Sequence, residues 1–149
     1  KDIPSCYMKY KYEPHSSSWY DKNLFERFRN KVLKYVHVEP KILFFDYDTI
    51  WRKILKSTKN NDESVLYGAF ARYDDSPRRG THGGKIVVGA SPQKFEKYFS
   101  ELVKISASQN KKYIFLTAWN EWGEGAYIEP DNIDGYAYLA AIKRSLQNK

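Results

Sequence analysis

Apolar residues recur along this chain in two rhythms, one of about three to four residues and one of short unbroken runs. Residues 21–36 carry Phe25, Phe28, Val32 and Val36 at helical spacing with charges between them, which predicts an amphipathic helix that Pro40 punctuates. The run at 42–45 predicts a short strand, and 49–57, with Ile50, Ile54 and Leu55 on one side, a short helix. A polar loop at 59–64 leads into an apolar strand at 65–73, and residues 74–84, rich in Pro, Arg and Gly, read as a loop. Ser91 followed by Pro92 is a helix start, since serine caps the first turn and proline fits where no N–H partner is needed. The helix it opens runs to about residue 107 with Phe95, Phe99, Leu102 and Val103 as its buried stripe. A last strand is expected at 113–118 and a last helix at 134–146, with Leu139, Ile142 and Leu146 facing inward. Strands alternating with helices imply an α/β fold built on a parallel sheet.

The residues after the last strand change the picture. Trp119, Asn120, Glu121, Trp122, Gly123, Glu124 and Gly125 put two indoles and two carboxylates where a plain turn would carry small polar groups. Gly123 and Gly125 permit positive φ, so the chain can bend and bring Glu121 and Glu124 toward one cleft. Two carboxylates in unlike surroundings titrate apart and supply an acid and a base at one pH, as glycoside cleavage requires. Indoles offer flat apolar faces to sugar rings, and Asn120 can donate to and accept from hydroxyls. The competing reading makes Trp119 and Trp122 core residues and both glutamates solvated.

Two further segments carry candidate chemistry. At 73–82, Tyr73, Asp74, Asp75, Arg78, Arg79 and His82 follow a strand end, and they either bind sugar hydroxyls or an anionic substituent or form an internal ion-pair cluster that holds the loop. The tyrosine-rich segment 7–15 either lines a sugar cleft or is a strand.

Residues 119–131, with the following 135–139, resemble the end of the WbsX-like family of polysaccharide-biosynthesis proteins, which is related to glycoside hydrolase family 99. Tyr73-Asp74-Asp75-Ser76-Pro77-Arg78-Arg79-Gly80 is similar to that family's aromatic-Asp-Asn-Ser/Thr-Pro-Arg-Arg segment, with Asp75 where Asn is usual, and Phe45-Asp46-Tyr47-Asp48 is similar to a third block. The resemblance covers roughly residues 41 to 146. It implies a (β/α)8 barrel with Glu121 and Glu124 after the last strand, on the face where such barrels keep their chemistry. It also implies roles: Glu121 a base on the sugar 2-hydroxyl, Glu124 an acid and then a base at the glycosidic oxygen. Trp119, Asn120, Trp122, Tyr73, Asp74 and Arg78 become the expected substrate contacts. Transfer to a hydroxyl and transfer to water both remain open, as does a non-catalytic glycan-binding relic.

Length bears on the barrel. A complete one takes about 250 residues, and this chain has 149, so the expectation is a single domain forming the C-terminal three to four βα units. Its exposed sheet edges would then be completed by an N-terminal barrel half or by a second copy in a homodimer. Hydrophobic residues at 42% and aromatics at 17% are enough for a packed core. No apolar run is long enough to span a bilayer and no signal sequence opens the chain, so a cytoplasmic location is expected. A single cysteine, Cys6, excludes an internal disulfide. A net charge of +7 raises nucleic acid as a partner. The lysines, however, are dispersed among carboxylates and no nucleic-acid motif is present, so an oligosaccharide or polysaccharide is the expected partner. A basic rim would favour acidic glycans or a lipid-linked glycan at an anionic leaflet. The carboxylate mechanism needs no cofactor. No metal is expected, since His15, His37 and His82 stand apart and no pair has ligand spacing.

Overall fold

A computed structural model describes residues 8–18, 42–80 and 83–147. The expected helix at 21–36, together with Pro40, Cys6, His37 and His82, lies outside the described residues. The rest is a mixed α/β arrangement. Its parallel sheet has the order β1 (Lys9–Tyr10), β3 (Val65–Phe70), β5 (Ile114–Thr117), with Lys9 opposite Val65 and Tyr67 opposite Ile114. A second parallel pair joins β2 (Ile42–Asp46) to β4 (Gly84–Val88). After β5 a small antiparallel hairpin, β6 (Asn120–Glu121) and β7 (Ala126–Tyr127), encloses a 3-10 turn, Trp122–Glu124. Among the described residues no barrel closes. No helix among them is long and apolar enough to cross a membrane.

Helix boundaries follow local chemistry. Asp46 caps α2 (Tyr47–Ser57) by accepting the Thr49 N–H at 2.7 Å, and Ser91 caps the longest described helix by accepting the Lys94 N–H at 3.2 Å. Two further helices, α1 (His15–Ser18) and α3 (Ser76–Arg79), are single turns. The longest helix among the described residues is α4 (Pro92–Ser108), and α5 (Ala137–Gln147) lies against it through Phe95 and Tyr138 and through Ser100 and Ser145 at 2.8 Å. Arg144 clasps Glu96 with two N–H donors at 2.8 and 2.6 Å.

The core is aromatic. Trp51, fully buried, stacks on Phe70 at 5.7 Å and on Tyr98 at 5.6 Å, which joins α2, β3 and α4. Such pairs add about 0.5–1.5 kcal/mol each beyond their buried area. Asp48 reinforces the α2–α4 contact by accepting from Lys94 Nζ at 2.6 Å and the Tyr98 hydroxyl at 2.7 Å. Burial, with that carboxylate as second cause, pushes the Tyr98 hydroxyl up to about 12.

Several expected boundaries move. The strand expected at 65–73 ends at Phe70, and the loop expected at 74–84 contains the helical turn α3 and the start of β4. The last helix begins at Ala137 because residues 131–135 form a closed turn, with Gly135 N–H donating to Asp131 O at 3.0 Å. Its buried face is Tyr138, Ala141 and Ser145, with Leu139 and Ile142 packed at the margin, whereas Leu146, expected inside, is 45% exposed. Of the two motif glycines only Gly125 takes positive φ, at +54°.

Gly68 explains how β1 can sit beside β3. A Cβ there would lie 1.8 Å from the Lys11 carbonyl oxygen, a backbone atom that cannot step aside. Gly68→Ala is therefore expected to cost about 3 kcal/mol or more, read as a large fall in thermal midpoint by circular dichroism. A variant that melts like the parent would contradict the close packing of these strands.

Candidate active site

Because β1, β3 and β5 are parallel neighbours, their C-terminal ends leave the sheet at one edge, the usual place for ligand chemistry in open parallel sheets. Three connections meet there: residues 11–15 after β1, 71–79 after β3, and 118–129 after β5.

The β5 connection is braced at both ends. The Ala118 N–H donates to Ala126 O at 3.0 Å, and the Ile128 and Glu129 N–H groups both donate to Trp119 O at 3.1 Å. Across to the β3 connection, the Asp74 N–H donates to Glu124 O at 2.7 Å. A Cβ on Gly125 would meet Asp74 backbone atoms at 3.1–3.2 Å, so this approach, like the positive φ, suits glycine. The Arg78 guanidinium pairs with Glu124 Oε1. Glu124 is 9% exposed, and its Oε2 is buried without a hydrogen-bond partner among the described residues. Glu121, three positions earlier, is exposed. The two carboxylates thus sit in unlike surroundings.

Trp119 and Trp122 are 54% and 50% exposed, so neither is a core residue. Asn120 is also exposed. Trp122 stacks on Tyr127 with centroids 3.6 Å apart, and its indole N–H donates to Glu129 at 2.6 Å.

In the β3 connection internal ion pairs form, Arg79 with Asp75 and Arg78 with Glu124. Asp75 is fully buried and accepts from the Lys85 N–H at 2.5 Å, from Arg79 Nε at 2.7 Å and from the Tyr73 hydroxyl at 3.2 Å. That cluster holds the loop, whereas Arg78 turns to Glu124. Tyr73 is 1% exposed and lies under the rim; burial raises its hydroxyl pKa, and the Glu124 charge adds to that. Asp74 accepts the Ser76 N–H at 2.9 Å and so shapes the turn into α3.

Of the tyrosine-rich segment, Lys9–Tyr10 form the strand β1, and the chain then turns toward the connections after β3 and β5. Burial raises the Tyr12 hydroxyl pKa, and the charges of Glu124 and Glu121 raise it further, which puts Tyr12 in the field of both carboxylates. The His15 ring stands edge-on to Tyr73 at 5.4 Å; burial lowers its pKa against the opposing pull of Glu124. Among the described residues no three His, Cys, Asp or Glu side chains gather as a metal site.

Sequence reasoning missed Arg72, Tyr127 and Asp131. Arg72 bonds to Asp131 and to Asp134, the latter at 3.2 Å, and its Cζ lies 3.9 Å over the Tyr127 ring. Nothing in their spacing marks residues about sixty apart as partners.

The chain matches the model described as glycosyltransferase WbsX over residues 4–142, and it therefore belongs to the WbsX glycosyltransferase family. Two relatives, the uncharacterized protein WxcX of Xanthomonas campestris pv. campestris strains B100 and ATCC 33913, are each 32% identical over 102 residues. That alignment takes in 64% of this chain and 14% of each relative, so the chain spans a small part of the relatives' length. No solved structure matches it.

Glu13, beside the site, offers a pH test. It is fully buried, and burial raises its pKa although Ser17 donates N–H and hydroxyl bonds to it at 3.0 and 2.9 Å. A carboxyl raised in the fold favours folding while protonated and opposes it once ionised, above the raised value. The thermal midpoint of Glu13→Gln relative to the parent is expected to be a few degrees more favourable at pH 7 than at pH 4. An offset that does not change with pH would contradict the assignment.

Proposed function

We propose that this chain carries the catalytic edge of a carbohydrate-active protein that makes or cleaves glycosidic bonds in a surface polysaccharide or O-antigen-type glycan. Its three-stranded parallel sheet is read as the C-terminal part of a (β/α)8 barrel, the fold implied by the likeness to glycoside hydrolase family 99. The observation that carries the reading is the pairing of a sheltered carboxylate, Glu124, with an exposed one, Glu121, three positions apart, at an edge lined by half-exposed Trp119 and Trp122. Membership of the WbsX family supports the substrate class.

Each residue then has a task. Trp122 and Trp119 stack the sugar and Asn120 bonds its hydroxyls. Glu121, exposed to solvent, takes the proton of the 2-hydroxyl. Glu124, sheltered and paired through Oε1 with Arg78, is given the acid–base task at the glycosidic oxygen. Transfer to a sugar hydroxyl and transfer to water use the same two carboxylates. The rival reading, a glycan-binding module without turnover, shares the aromatic rim but needs neither carboxylate.

The full-length protein, incubated with surface polysaccharide purified from its own cells, separates these readings by mass spectrometry of the products. Glu121→Gln and Glu124→Gln are each expected to lower kcat by about 10²–10⁴-fold while polysaccharide binding stays within about threefold of the parent. Turnover that survives both substitutions unchanged sinks the catalytic assignment. Binding without turnover in the parent, lost in Trp122→Ala, establishes the binding module instead.

A further inference from the structure

We propose that Arg72 is a positioning residue that fixes the Trp122 face on which the sugar ring stacks; this rests on the carbohydrate reading above. Arg72 lies two residues past the end of β3, and its side chain is 17% exposed. One guanidinium nitrogen donates to Asp131 and another to Asp134 at 3.2 Å, so the planar group is oriented by two carboxylates at once. Asp131 is itself immobilised. It accepts the Ile133 and Asp134 N–H groups at 2.9 and 2.7 Å and the Tyr127 hydroxyl at 2.9 Å, and those bonds, led by the Asp134 N–H, hold its carboxyl well below the usual range.

On this base stands a three-layer stack. The Arg72 Cζ lies 3.9 Å from the Tyr127 centroid, and the Trp122 ring lies 3.6 Å from the same centroid with an interplanar angle of 18°. Two groups that close cannot share one side of a ring, so Tyr127 is sandwiched between guanidinium and indole. The bond from the Trp122 indole N–H to Glu129 then fixes rotation within the plane of the stack. One face of Trp122 is thus committed to Tyr127, and the residue remains 50% exposed. A rigid stacking face spares the ligand the entropy of ordering a free side chain. Lysine cannot replace Arg72, because a point charge neither spans two carboxylates nor lies flat on a ring.

The test is fluorine NMR of the protein labelled with 5-fluorotryptophan, with the Trp122 line assigned by its loss in Trp122→Phe. Arg72→Lys is expected to shift or broaden the Trp122 line and to leave the Trp51 and Trp119 lines in place. If that variant fails to fold, Asp134→Ala, which removes the longer contact alone, carries the same expectation at smaller size. A Trp122 line unmoved in the folded variant overturns the proposal whether or not the protein turns over glycan. In the polysaccharide assay Arg72→Lys is expected to raise KM about tenfold with kcat within about twofold. A fall in kcat at unchanged KM overturns the positioning role. If the Trp122 line moves in a protein whose parent shows no turnover, the catalytic reading falls and the positioning of Trp122 stands.

Discussion

The site depends on one tie, in which the connection after β3 grips the connection after β5 through Glu124. The residue is held twice, its carbonyl by the Asp74 N–H and its carboxylate by Arg78, and Gly125 beside it has no Cβ to keep the two backbones apart. Without that grip the motif after β5 would be a hairpin of solvated side chains. With it, Glu124 is shielded while Glu121 stays in water, and a difference in solvation is what lets two identical side chains do different chemistry.

Everything else braces the two partners of the tie. Asp75 gathers Lys85, Arg79 and Tyr73 around a fully buried carboxylate, which shapes the turn that presents Arg78. On the other side Arg72, Asp131 and Tyr127 fix the far end of the hairpin and with it Trp122. Behind both, the Trp51, Phe70 and Tyr98 stack anchors β3 against α2 and α4, so the strand that launches Asp74 and Arg78 starts from a rigid core. Energetic weight therefore falls on ring stacking and buried carboxylates rather than on surface ion pairs, which contribute little.

Much of this was legible in local pattern. The apolar run before Trp119 marked a strand, and the Ser91-Pro92 start located α4. Local pattern failed where structure is made by distant residues. β4 is a five-residue strand flanked by glycines, too short to separate from loop by periodicity, and it is defined by its pairing with β2. Gly68 looks like a weakness in a strand until the Lys11 carbonyl is seen against it. Leu146 fits a helical stripe, yet the helix starts three residues later than expected and turns Tyr138, Ala141 and Ser145 inward. The resemblance made Tyr73 an expected sugar contact, but its ring is 1% exposed and stands edge-on to His15 beneath the rim.

The coupling between Arg78 and Glu124 tests the central claim most directly. Urea denaturation of Arg78→Ala, Glu124→Gln and the double variant yields the interaction energy free of their separate contributions. A tie of the kind described predicts that the double variant is more stable than the sum of the single losses by about 1 kcal/mol. Losses that add to within about 0.3 kcal/mol would mean that the two side chains do not act on each other, and that the site is not built around Glu124.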